Sequence, residues 1–142
     1  DMIVEQEGIT INEIFDKCGE EYFRKTECEV IKKAAEMKNV VIATGGGVVL
    51  NEQNIENLRK TGVIFNLSPD FSVIRERLEE ARKTRPLLKR DSIENIKKRF
   101  DDRKPFYDNC DYKIKVIHGR TPRSYAMEIL EIMESSQGAG KQ

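Results

Sequence analysis

Tryptophan is absent from the 142 residues, histidine occurs once, and aromatic side chains make up only 7% of the chain. A stacking series of the kind that binds single-stranded nucleic acid is therefore excluded. Charge of one sign is equally lacking: 25 Lys and Arg face 25 Asp and Glu. A balanced chain has no whole-molecule attraction for nucleic acid or anionic membrane. No apolar run approaches the ~18 residues needed to span a bilayer, and no charged-then-apolar signal segment opens the chain, so the expectation is a cytosolic protein. Cys18, Cys28 and Cys110 are odd in number, widely spaced and without histidine partners. That pattern suggests neither a disulfide framework nor a zinc site, and reduced structural thiols are expected.

What is present is one domain's length of chain, with an apolar fraction of 38% and a charged fraction of 35%. The first lies below and the second above the averages of about 45–50% and about 25%, so a surface rich in ion pairs is expected. No repeat or linker divides the sequence, which reads as an alternation of helices and short strands. Asn39–Ala43, Val63–Leu67 and Tyr112–Ile117 are expected strands, the first buried on both faces and the last nearer an edge. Gly19–Met37 carries Phe23, Val30, Ala34 and Met37 at helical spacing. Ser68-Pro69-Asp70 reads as a helix start with Phe71, Ile74 and Leu78 inward. Ser92 caps a helix with Ile93, Ile96 and Phe100 inward, expected to end at Pro105. Thr121-Pro122 opens the last helix, with Ala126, Ile129, Leu130 and Met133 inward. Strands joined by helical crossovers imply an α/β fold: a three-layer parallel sheet with helices on both faces. Residues 135–142 are almost free of apolar side chains and are expected to be a disordered tail.

Chemistry is concentrated in few places. Thr44-Gly45-Gly46-Gly47 follows an apolar strand, and glycines at the C-terminal end of a parallel strand let backbone approach a ligand closely. Arg82, Lys83, Arg85, Lys89 and Arg90 crowd around Arg85-Pro86-Leu87-Leu88. That run is either a solvated basic loop or a lid that brings guanidinium groups onto phosphate. Arg103 falls three residues after Phe100 and continues the inward stripe of its helix, so it needs a partner. Arg24 lies near a helix start, unfavourable for a cation, and a ligand carboxylate or phosphate could compensate it. For both arginines an internal salt bridge is the competing reading. His118 reads as a turn residue, and no metal-ligand cluster or nucleophile elbow appears.

Together these residues resemble a known family. Glu20-Glu21-Tyr22-Phe23-Arg24, the strand into Thr44-Gly45-Gly46-Gly47, Arg85-Pro86-Leu87-Leu88 and Arg103-Lys104-Pro105-Phe106-Tyr107 stand in the order and approximate spacing of shikimate kinase. The resemblance runs over residues 1–134, read as one kinase-like domain with a lid at about residues 82–91. It implies a P-loop kinase fold of the nucleoside-monophosphate-kinase type and transfer of the ATP γ-phosphoryl to the 3-hydroxyl of shikimate, with Mg²⁺, in aromatic amino-acid synthesis. It also implies roles by position. Arg24 and Arg103 would share the shikimate carboxylate, and Gly45, Gly46 and Gly47 would line the substrate, Gly46 donating its backbone N–H. Arg85 would be the catalytic lid arginine on the ATP phosphates, and Arg120 would lie against adenine. No residue is implied as a metal ligand, and a monomer is expected.

The family's Gly-x₄-Gly-Lys-Ser/Thr loop and Asp-x-Asp segment do not occur in these residues. Gly138-Ala139-Gly140-Lys141 lacks the first glycine and the Ser/Thr, and reads as tail. The start at Asp1, within a helical pattern, leads to the expectation of a preceding N-terminal portion carrying a central strand, without which two neighbouring strands would expose ladder groups. The absence of the phosphate loop and of the Asp-x-Asp acids leads to the expectation that this stretch alone is inactive. Two other readings are a non-catalytic relative binding a small carboxylate or a partner chain, and another small-molecule kinase such as gluconate kinase. Retention of both Arg24 and Arg103 argues against the latter.

Overall fold

The computed structural model describes residues 2–84 and 91–139, which fall into two units divided after Ile64. In the first, α1 (Met2–Glu7) stops at Gly8, whose φ of 71° suits a residue without Cβ. Thr10 then caps α2 (Ile11–Ala35). Glu13 N donates to Thr10 Oγ1 at 3.3 Å and Thr10 N donates to a Glu13 oxygen at 2.9 Å. Gly19, at φ 82° and ψ 173°, breaks α2 into two helical pieces. The second piece buries Phe23, Val30 and Ala34, as their spacing predicts, together with Ile31, but ends before Met37, which is exposed. A 3-10 turn at Val48–Leu50 leads into α3 (Glu52–Thr61), which is capped by the Asn51 side chain and buries Ile55. Thr61 Oγ1 donates to Ala35 O at 2.5 Å, tying the end of α3 to the end of α2.

The strand expected at Asn39–Ala43 does not form: residues 40–45 have no regular structure, and Val41 is 98% exposed. An extended apolar run becomes a strand only with a ladder partner, and none lies beside it among the described residues. Propensity alone does not supply one.

In the second unit β1 (Phe65–Pro69) pairs in parallel with β2 (Tyr112–Val116), Phe65 opposite Tyr112 and Pro69 opposite Val116. Their connection runs through α4 (Phe71–Thr84) and α5 (Ile93–Tyr107), as a parallel pair requires. In β2 the alternation holds: Ile114 and Val116 are buried while Lys113 and Lys115 face out. They join Val73 and Tyr125 in the core, with Phe65, Ile129 and Ile132 against it. His118 sits in a turn, as expected, with Nδ1 2.7 Å from Glu76.

Several details differ from expectation. β1 begins two residues later than Val63 and takes in Ser68 and Pro69. Pro69 ends the strand, where its missing N–H breaks no interior ladder, and Asp70 O accepts from Val73 N at 3.0 Å to start α4. Ser92 does cap α5, accepting from Asn95 N at 3.0 Å, but Pro105 does not end it. Proline there removes only its own bond to Asp101 O, and Asp108 N still donates to Lys104 O at 3.0 Å. α6 (Pro122–Ala139) turns its face by one residue, burying Tyr125 with Ile129 and Ile132 partly buried beside it and leaving Ala126 and Leu130 exposed. Tyr125 fixes that rotation, since its hydroxyl accepts from Ile117 N at 2.9 Å and donates to Ile117 O at 3.0 Å. α6 also continues through the first residues of the expected tail. There Ser135 and Ser136 hydroxyls donate to Glu131 O and Ile132 O, each at 2.8 Å.

Candidate functional site

The second piece of α2 presents Arg24 to the glycine run. A Cβ built on Gly47 would collide with the guanidinium, lying 2.6 Å from Cζ and from Nη2, so glycine is what allows arginine and backbone to touch. Gly47 itself has an ordinary helical backbone, φ −89° and ψ −10°. Its need is for space. Gly45 is also near, its built Cβ 3.9 Å from Glu27 Oε2.

Arg24 is held from two sides. Nη1 donates to Glu27 Oε1 at 2.8 Å, and Glu27 is 5% exposed. On the opposite edge Nε and Nη2 donate to one oxygen of Glu20 at 3.4 and 3.3 Å, and Glu20 is exposed. Burial works against the Arg24 charge, but the hydrogen bonds and charges of Glu27 and Glu20 outweigh it and raise its pKa. The Phe23 ring lies 5.2 Å from Cζ and completes the seat. So the structure brings Arg24, Gly45 and Gly47 together, and the internal salt bridge weighed for Arg24 is present as well.

Glu27 escaped the reading of the sequence. The signal was available: an acid three residues after an arginine on one helix face makes a pair, but nothing in the sequence marks that acid as buried. Asn51 and Asn54, which secure the far end of the glycine run, were also missed. Asn51 Nδ2 reaches Cys28 Sγ at 3.0 Å, and Asn54 Nδ2 donates to Val48 O at 3.1 Å.

In the second unit Arg103 is half-buried, on the α5 stripe with Ile93, Ile96, Phe100 and Tyr107. Among the described residues its guanidinium makes no hydrogen bond or ion pair. The internal salt bridge weighed for it is not formed there. Arg120 stacks on Tyr125, Cζ 4.3 Å from the ring centroid, and pairs with Glu128 at 2.7 Å and Ser124 Oγ at 3.2 Å. Arg85 and the rest of residues 85–90 lie outside the described residues. On either side of them Arg82 Nη2 donates to Asp91 O, and Arg99 holds the Asp91 carboxylate at 2.5 Å. That bond from Arg99 is the chief reason the Asp91 carboxyl lies below its ordinary pKa. Among the described residues no group of His, Cys, Asp and Glu could hold a metal ion, and no helix is long and apolar enough to cross a membrane.

The family model for shikimate kinase matches residues 1–134. The chain belongs to the shikimate kinase family. It is 43% identical over 131 residues to the shikimate kinase of Caldicellulosiruptor bescii, covering 92% of this chain and 75% of that protein. With the shikimate kinase of Aquifex aeolicus it shares 38% over 138 residues, 97% of this chain and 80% of the relative. Among solved structures, shikimate kinase from Acinetobacter baumannii in complex with shikimate superposes with a TM-score of 0.81 at 31% identity, covering 95% of this chain and 75% of that one. Members of this family are phosphotransferases that act on an alcohol and use ATP. The expected α/β kinase fold is shown by these neighbours together with the parallel pairing of β1 and β2.

Proposed function

We propose that this chain carries the acceptor site of an enzyme that phosphorylates the 3-hydroxyl of shikimate, with Arg24 as the carboxylate anchor and Gly45–Gly47 as the wall of the site. The observation that carries the reading is the asymmetry of the Arg24 contacts. Buried Glu27 holds Nη1 firmly at 2.8 Å, while the forked Nε/Nη2 edge meets only exposed Glu20, at 3.3–3.4 Å and through a single oxygen. An exposed i,i+4 pair contributes about 0.3–0.5 kcal/mol. A ligand carboxylate can displace Glu20 at little cost and fill that edge bidentately, which a planar guanidinium favours.

Arg103, half-buried and without a partner among the described residues, is read as the second cation for the same carboxylate. Arg85 is read as the lid arginine on the ATP phosphates and Arg120 as the adenine contact, where its stacked guanidinium offers a flat cationic surface. In the reaction the acceptor hydroxyl attacks the γ-phosphorus, its proton leaves, and ADP departs. The residues named here bind and orient the acceptor. The Gly-x₄-Gly-Lys-Ser/Thr loop and the Asp-x-Asp segment do not occur in this sequence, and among the described residues no cluster could hold a metal ion. The domain is read as residues 1–134, acting as a monomer in the cytoplasm, with no nucleic-acid or membrane partner. Calorimetric titration of shikimate into the full-length natural protein and its Arg24→Ala variant tests the reading. Binding that weakens at least about tenfold in the variant supports it, and equal binding in the two contradicts it.

A further inference from the structure

Asn54 is 1% exposed, the most enclosed polar side chain among the described residues. Nδ2 donates to Val48 O at 3.1 Å, while Oδ1 accepts no hydrogen bond among those residues. Turning the amide over would set Oδ1 against the Val48 carbonyl, acceptor against acceptor, so the orientation follows from chemistry. A buried acceptor left unpaired lowers stability. Leucine would fill a similar volume without that cost, so packing alone does not call for asparagine here.

What asparagine does, and leucine cannot, is hold the Val48 carbonyl. The backbone hydrogen bonds of Val48 are longer: Val48 N donates to Gly45 O at 3.3 Å, and Asn51 N to Val48 O at 3.4 Å. Leu50 N donates to Gly47 O at 3.1 Å, so the backbone from Gly45 to Asn51 is one linked run of turns. Asn51 secures its end by capping α3 and reaching Cys28, the residue after Glu27. We infer that Asn54 is a positioning residue of the acceptor site: by fixing Val48 it fixes Gly45–Gly47, the surface on which Arg24 lies. This rests on the proposed function, since it matters to catalysis only if Arg24 and the glycine run bind the acceptor.

The test is steady-state kinetics of the full-length natural protein with Asn54→Leu, and with Asn54→Ala should the leucine variant fail to fold. The expected result is a shikimate KM raised about fivefold or more, equal to ~1 kcal/mol at about 1.4 kcal/mol per decade. ATP KM and kcat should stay within about twofold. An unchanged shikimate KM, or an equal rise in both KM values, overturns the inference while the parent's activity leaves the proposed function standing. A parent that phosphorylates no shikimate overturns the proposed function and this inference with it.

Discussion

Alanine placed at Gly45 and at Gly47 should give opposite results, although the two substitutions are chemically identical. Neither glycine has a positive φ, so the unfolded-state term for Gly→Ala should stabilise each variant by about 0.4–1 kcal/mol. At Gly45 the new methyl would stand 3.9 Å from Glu27 Oε2, an ordinary contact. At Gly47 it would collide with the end of the Arg24 side chain, 2.6 Å from Cζ and Nη2. The guanidinium can swing aside, but only by loosening its 2.8 Å bond to Glu27. A hydrogen bond between charged groups contributes about 1.5–3 kcal/mol. With the Arg24 side chain 29% exposed, solvent screening brings the loss to roughly 1 kcal/mol. Gain and loss then nearly cancel, so Gly47→Ala should melt close to the parent. Ligand binding should change far more. A displaced guanidinium forfeits a charged hydrogen bond to the shikimate carboxylate, about 1.5–3 kcal/mol or roughly 10- to 100-fold in Kd. Titration calorimetry on the full-length natural protein, with melting curves of the same samples, reads both quantities. Gly45→Ala should bind within about threefold of the parent. If Gly47→Ala also binds shikimate like the parent, the contact between Gly47 and Arg24 does not shape the site and the reasoning fails.

Arg103→Lys should lower kcat/KM for shikimate about 10- to 100-fold, because an ammonium cannot bind a carboxylate bidentately; unchanged kinetics would return Arg103 to a structural role. Arg85→Ala should reduce kcat by at least about tenfold while the shikimate Kd moves by less than about threefold, as expected of a contact that strengthens toward the transition state. Equal turnover would return the Arg85-Pro86-Leu87-Leu88 run to the reading of a solvated basic stretch. For the thiols, burial pushes Cys110 above its ordinary pKa, whereas Cys18 is exposed. Timed alkylation near pH 8 followed by peptide mass spectrometry should therefore find Cys18 modified well before Cys110, and simultaneous labelling would contradict the burial of Cys110.

Much of the fold was legible because it rests on short-range signals. The Ser92 cap, the alternation in β2 and the inward run of Phe23, Val30 and Ala34 are each set by a few neighbouring residues, and each stands in the structure. What sequence periodicity could not supply was pairing. Val40-Val41-Ile42 has every local property of a buried strand and forms none, because a strand is made by its neighbour. The rotation of α6 was hidden for a similar reason: apolar residues lie on two adjacent faces, and the Tyr125 hydroxyl's grip on Ile117 chooses between them. In the site, Arg24 and the glycines were visible through residue types that have few other uses. Glu27 and Asn54 were not, because one acid among 25 acidic residues and one amide on a polar helix become distinctive only once burial is known.

The central claim is that Arg24 and the glycine run serve a phosphoryl transfer to shikimate, and product formation tests it most directly. Shikimate-dependent ADP release by the full-length natural protein should be measured in a coupled assay, with the product's phosphorus assigned by NMR and the 142 residues assayed alone beside it. The account predicts shikimate 3-phosphate from the full-length protein, and no turnover above background from these residues alone, which carry no phosphate loop. ATP turnover by the full-length protein that ignores shikimate, or that gluconate stimulates equally, would contradict it.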